Sequence, residues 1–171
     1  GIFDEVREFP PMAGPPEPIP LEALGAYLFE GDPDAAFSVY ESMAAPDRGI
    51  IVTTKSPVRV RRRVGPAPLI VWVGGSGEAA EGEGPAAIDF EAGRLAAGFL
   101  RERTHPVLYV ADLEQLRLLA PFPRVLEFVK GLIDQAAVRG GVLLASVDPK
   151  AVPPTELACL RWNFDHVRRV G

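Results

Sequence analysis

Two histidines, one cysteine, a few strand-end polar residues and a knot of arginines are the side chains in this chain that could do chemistry. Cys159 and His166 lie close in sequence with Trp162 between them, and a last helix running through both would set them on one side. Two ligands two turns apart cannot clamp a metal alone, because a zinc site needs three or four protein ligands. Packing therefore accounts for that ridge, and no metal site is expected. His105 precedes Pro106 and is expected as an exposed residue at the entry to a strand. Ser146 closes an apolar run without an evident base beside it, so no Ser-His-Asp arrangement emerges. Gly74-Gly75-Ser76-Gly77 has the glycines of a phosphate-wrapping loop, but such a loop also needs a lysine, and Glu78, Glu81 and Glu83 follow instead. That stretch reads as a surface loop.

Arg59, Arg61, Arg62 and Arg63 make the densest charge in the chain. With Arg161, Arg168 and Arg169 they could present an anion-binding face to nucleic acid, acidic lipid or an acidic partner. A solvated helix face with acidic neighbours is the plainer alternative. No aromatic residues are interleaved with the arginines, which argues against a stacking platform for single strands.

The elements that must position these residues alternate. Gly25 to Phe29, Ile50 to Thr54, Leu69 to Val73, Val107 to Val110 and Val142 to Val147 are short apolar runs, as buried strands are. Between them come helical spacings. Asp32-Pro33 opens the first, with Asp as N-cap and Pro where a missing N–H does no harm. Ala36, Phe37, Tyr40 and Met43 follow, and Pro46 and Gly49 stop it. A second helix is expected from Pro85, with Ile88, Ala92, Leu95, Ala96 and Phe99 as its stripe. The strongest follows Pro121, carries Val125, Leu126, Val129, Leu132, Ile133 and Ala136, and ends at Gly140-Gly141. A last one from Pro154 carries Leu157, Leu160, Phe164 and Val167. The arginine stretch from Pro57 to Gly65 fits strand or helix. Strands alternating with helices imply a parallel sheet in an α/β, three-layer sandwich of five strands.

Residues 1–20 differ. Pro10, Pro11, Pro15, Pro16, Pro18 and Pro20 exclude helix and central strand, so this is an arm or linker. Ile2, Phe3, Val6 and Phe9 recur at helical spacing before it and could dock on a neighbour, or belong to a solvated tail. Residues 21–171 form one domain. A chain of 171 residues buries about 70% of its unfolded surface and needs no staples. The single cysteine rules out an intrachain disulfide and fits the cytoplasm. A net charge of −5 argues against coating a duplex, and no apolar run is long enough to insert in a membrane. An opening Gly1 rather than Met is expected of a processed chain or a piece of a longer one.

Several blocks in order carry a resemblance: Ala26-Tyr27-Leu28-Phe29-Glu30, Ser56-Pro57, Leu69-Ile70-Val71-Trp72-Val73, Val107 through Leu116, Val125-Leu126-Glu127-Phe128-Val129, and Ser146-Val147-Asp148-Pro149 with Glu156-Leu157. Together, over about residues 21 to 165, they resemble the archaeal domain of unknown function 835. That family is a degenerate relative of RecA-like ATPases, often joined to signalling or membrane modules. Where the family has a glycine after the Asp that ends the fourth strand, this chain has Leu113. The resemblance implies a RecA-like core, with a phosphate-binding loop expected between the first strand and first helix. Here that segment is Glu30-Gly31-Asp32-Pro33-Asp34, which is short, lacks a lysine and sets two carboxylates where phosphates belong. Asp112 resembles a Mg²⁺-coordinating carboxylate at a strand end, but without a phosphate cradle it reads as structural or as an N-cap. The expected function is a non-catalytic interaction or regulatory module with no cofactor, acting through a protein partner or self-association. The alternatives are a nucleotide sensor or enzyme with an altered site near Asp112, and anion or nucleic-acid binding through Arg59 to Arg63.

Overall fold

The computed structural model describes residues 23–44, 48–74, 86–87 and 91–171. The proline-rich arm with Ile2, Phe3, Val6 and Phe9, the stop at Pro46, the glycine loop after Gly74, Pro85 and Ile88 lie outside the described residues.

All five expected strands are present: β1 (Gly25–Gly31), β2 (Gly49–Thr53), β3 (Leu69–Gly74), β5 (Val107–Val110) and β6 (Val142–Val147). Two more flank them, β4 (Ala86–Ala87) and β7 (His166–Val170). They join in one parallel sheet of order β4-β3-β2-β5-β6-β1-β7. β2, β5 and β6 lie inside it and are buried throughout, which is why they read as unbroken apolar runs.

Alternating side chains divide the interior into two cores. Phe29, Ile51, Tyr109 and Leu144 point to one face, where α1 (Pro33–Met43) and α2 (Pro57–Val64) cover them with Ala36, Tyr40 and Val60. Leu28, Val52, Leu108 and Leu143 point to the other. There α3 (Glu91–Arg101), α4 (Leu113–Leu116), α5 (Phe122–Val138) and α6 (Pro154–Asn163) supply Leu100, Leu116, Val129, Leu132 and Leu160. Each such leucine or valine contributes roughly 1.5–3 kcal/mol when fully buried, and the two faces make the three-layer sandwich.

The arginine stretch resolves as helix. Pro57 opens α2, Val60 buries against the sheet, and Gly65 at φ 72° ends it. α5 closes with a Schellman turn: Gly140 sits at φ 66°, its amide donates to the Ala137 carbonyl, and the Gly141 amide donates to Ala136.

Two expectations need correction. Ala86–Ala87 pairs with β3, so the helix placed at Pro85 begins later, with α3 at Glu91. The last helix stops at Asn163 and does not reach Val167. Asp165 redirects the chain: its carboxylate accepts the Ala26 amide at 2.8 Å, and its own amide donates to the Ala26 carbonyl. Residues 166–170 are thereby laid along β1 as β7. Cys159 and His166 thus share no helix. Cys159 is exposed on α6, and the His166 ring stacks on Tyr27 with centroids 4.4 Å apart.

Candidate functional site

In an open α/β sheet, ligands bind beyond the carboxyl ends of the strands, where adjacent strands send the chain to opposite faces. This sheet has such a reversal between β1 and β6. β1 leads to α1 on one face, and β6 leads to α6 on the other. The β1–α1 connection is the single residue Asp32. Its Oδ1 accepts the Asp34 amide at 2.9 Å, so the helix caps itself with its own carboxylate. Its amide donates to the Val170 carbonyl at 3.1 Å. Gly31, at φ 134°, lies so close under that carbonyl that a Cβ would collide with it. Glu30 is 4% exposed and held by the Arg161 guanidinium through two bonds of 2.7 Å. The Asp32 and Asp34 amides are thus engaged, and Pro33 between them has no N–H to offer a phosphate.

The second reversal lies between β2 and β5. Val52 pairs with Val110, and the Ala111 amide donates to the Val52 carbonyl, so the two strand ends stay level. From there β2 leads to α2 and β5 leads to α4 and α5 across the sheet. The parted ends leave a cavity of about 190 Å³. Phe37 from α1, Ile51 and Thr53 from β2, and Tyr109 from β5 form its walls. Phe37 meets Tyr109 edge-on with centroids 5.1 Å apart. Lys55, Arg59, Arg63, Asp34 and Asp112 provide its charge.

Asp112 is fixed in an unusual way. Its backbone is left-handed, at φ 57° and ψ 69°, a region that Asp tolerates better than most residues. Its amide donates to the Ser146 Oγ at 2.9 Å, and the Tyr109 hydroxyl donates to the same oxygen at 3.0 Å. The Ser146 hydroxyl is turned toward Asp112 Oδ1 at 3.4 Å. Burial raises the carboxyl of Asp112 above its ordinary range, and the positive charge of Lys55 works against that rise. Asp112 occupies the N-cap position of α4, but its side chain makes no capping bond, so the capping role foreseen for it is not the one it has. Ser146 is 2% exposed with both acceptor positions engaged, which makes it an anchor rather than a nucleophile.

The arginines of α2 are dispersed in role. Arg61 donates to the carbonyls of Gly65 and Pro68, closing the α2–β3 turn. Arg63 is bonded to Asp34 at 3.1 Å and Glu41 at 2.9 Å, and lies over the Phe37 ring at 4.3 Å. Arg59 and Arg62 are exposed, and only Arg59 joins Arg63 on the cavity. His105 is half-buried at φ 52°, with Nδ1 3.1 Å from the Gly140 carbonyl, so it packs against the end of α5. Lys55, Thr53, Phe37 and Tyr109 escaped sequence reasoning as site residues. For Lys55 and Thr53 a signal existed: both sit at the end of the most β-branched run in the chain. Among the described residues no cluster of His, Cys, Asp and Glu could hold a metal ion, and no helix is long and apolar enough to cross a membrane.

No family model matches the chain, and neither does any curated protein. Among solved structures it is similar to the flagellar accessory protein FlaH from Methanocaldococcus jannaschii. The TM-score is 0.55 at 12% identity, over 85% of this chain and 70% of FlaH. At that identity the likeness concerns the fold, a RecA-like arrangement of helices around a parallel sheet.

Proposed function

We propose that this chain is a non-catalytic interaction or regulatory module on a degenerate RecA-like scaffold, part of a larger or multi-component signalling protein. One observation carries the reading: the β1–α1 connection is Asp32 alone, self-capped and bonded to Val170, with no lysine and with the Asp32 and Asp34 amides engaged. A phosphate-binding loop needs several glycine amides pointing at the anion and a lysine beyond them. The ordered blocks over residues 21 to 165 that resemble the archaeal domain of unknown function 835 support the same reading. The partner surfaces in this reading are the arm with Ile2, Phe3, Val6 and Phe9, and the exposed arginines of α2. Trp162, 88% exposed on α6, adds an aromatic anchor of the kind that dominates protein interfaces.

Thermal unfolding with millimolar Mg²⁺–ATP and Mg²⁺–GTP tests the proposal. A ligand at about 100 times its dissociation constant adds about 2.7 kcal/mol, which moves the midpoint by several degrees. The expected result is no shift. A saturable shift abolished by Asp112→Ala would overturn the proposal in favour of a nucleotide sensor with an altered site.

A further inference from the structure

The β1–β6 reversal is closed, but the β2–β5 reversal is open, and its lining is chemically divided. On the β2–α2 side stand Lys55 and Arg59, both exposed and neither in an ion pair among the described residues. Arg63 beside them is neutralised by Asp34 and Glu41. On the β5 side stands Asp112, whose backbone is locked by the Ser146 hydroxyl. Between the two lies an aromatic and aliphatic wall of Phe37, Ile51 and Tyr109. A left-handed non-glycine residue held in place by a buried partner is a common signature of a built site. A residue whose backbone is already fixed has less freedom to lose when its side chain receives a donor.

We infer that this crevice binds a small organic acid that also carries a hydrogen-bond donor, a hydroxy acid or an amino acid. Its carboxylate would sit on Lys55 and Arg59, and its hydroxyl or ammonium on Asp112. Size fixes the class. Water takes about 30 Å³ per molecule in the liquid, so a cavity of about 190 Å³ holds the volume of about six waters. That suits a ligand of up to about ten heavy atoms. The lining sets the polarity, because cations stand on one side of the crevice and the Asp112 carboxylate on the other, so a ligand carrying both an anion and a donor is complementary to both. The inference goes beyond the interaction-module reading and adds an effector site to it.

Calorimetric titration of the whole chain with L-serine, lactate, acetate and inorganic phosphate at constant ionic strength tests the assignment. Saturable binding of L-serine or lactate is expected, with acetate weaker. Arg59→Ala combined with Lys55→Ala should weaken binding at least tenfold. Asp112→Asn should bring the donor-bearing acids down to the level of acetate. These variants alter exposed or asparagine-tolerant positions, and an unfolding curve for each confirms that the chain still folds. Absence of saturation by either donor-bearing acid overturns the inference, as does binding that is indifferent to all three substitutions, or binding of phosphate alone. Mg²⁺–ATP in a separate titration reads the non-catalytic proposal, so a nucleotide that binds while the small acids do not overturns both readings, and small acids that bind while the nucleotide does not uphold both.

Discussion

A serine at a strand end invites a nucleophilic reading, and Ser146 declines it because the Tyr109 hydroxyl and the Asp112 amide hold its oxygen from two directions. Ser146→Ala should therefore strand two donors at once, each left unsatisfied at about 1–3 kcal/mol. Urea unfolding reads the loss, and adding Tyr109→Phe should recover part of it, since one orphaned donor is then gone. Asp112 and Glu114 are both raised by burial from ordinary values of 3.8 and 4.5. Their folded forms hold the proton more tightly than the unfolded chain does. That contribution is fully present below the ordinary values and is lost as pH rises through the folded ones. Asp112→Asn should consequently melt higher than the parent at neutral pH and show no advantage well below pH 3.8. Glu156 behaves oppositely. Arg117 bonds its carboxylate, one arm at 3.1 Å, and lowers it, so its contribution is present above 4.5 and lost as pH falls below. Glu156→Gln should cost stability at neutral pH only, and melting curves across that range separate the two cases.

The elements differ in how plainly they were written. β2, β5 and β6 are buried on both faces, so nothing interrupts their apolar runs. α5 announces itself by a stripe that steps by threes and fours and by two glycines where a Schellman turn needs them. β7 announces nothing. His166, Arg168 and Arg169 make most of it, and its place is set by Asp165, which meets Ala26 at a separation of 139 positions. Val167 also fell on the stripe of α6, so local spacing favoured the wrong element. The cavity was half legible for a similar reason. Asp112 and the α2 arginines drew attention by type, whereas Phe37, Thr53 and Tyr109 looked like ordinary core and became a wall only when three separate strands and helices met. Gly31 is the joint of this region. Gly31→Ala puts a Cβ against the Val170 carbonyl and strains a backbone at φ 134°. The expected outcome is a lower unfolding midpoint, with faster hydrogen exchange in β7 than in β2 or β5.

At the scale of the whole molecule, a parallel sheet similar in fold to that of FlaH carries a β1–α1 connection of one residue. The hydrophobic faces explain how this is possible. Both cores are built from the strands and the helix bodies, and neither draws on the β1–α1 turn beyond the cap. Chemistry at the strand ends can therefore be rewritten without disturbing the stability of the layers beneath. The same separation leaves the β2–β5 crevice free to take a different ligand.

The order of the sheet also sets a timetable. β1 takes both of its neighbours, β6 and β7, from the opposite end of the described chain. On a ribosome, the earliest of these strands therefore waits with both edges bare until the latest have emerged. Pairings across such separations close slowly, and bare strand edges recruit other chains. Misfolding in this protein thus has a natural window, which opens when β1 leaves the exit tunnel and shuts when Val170 reaches Asp32.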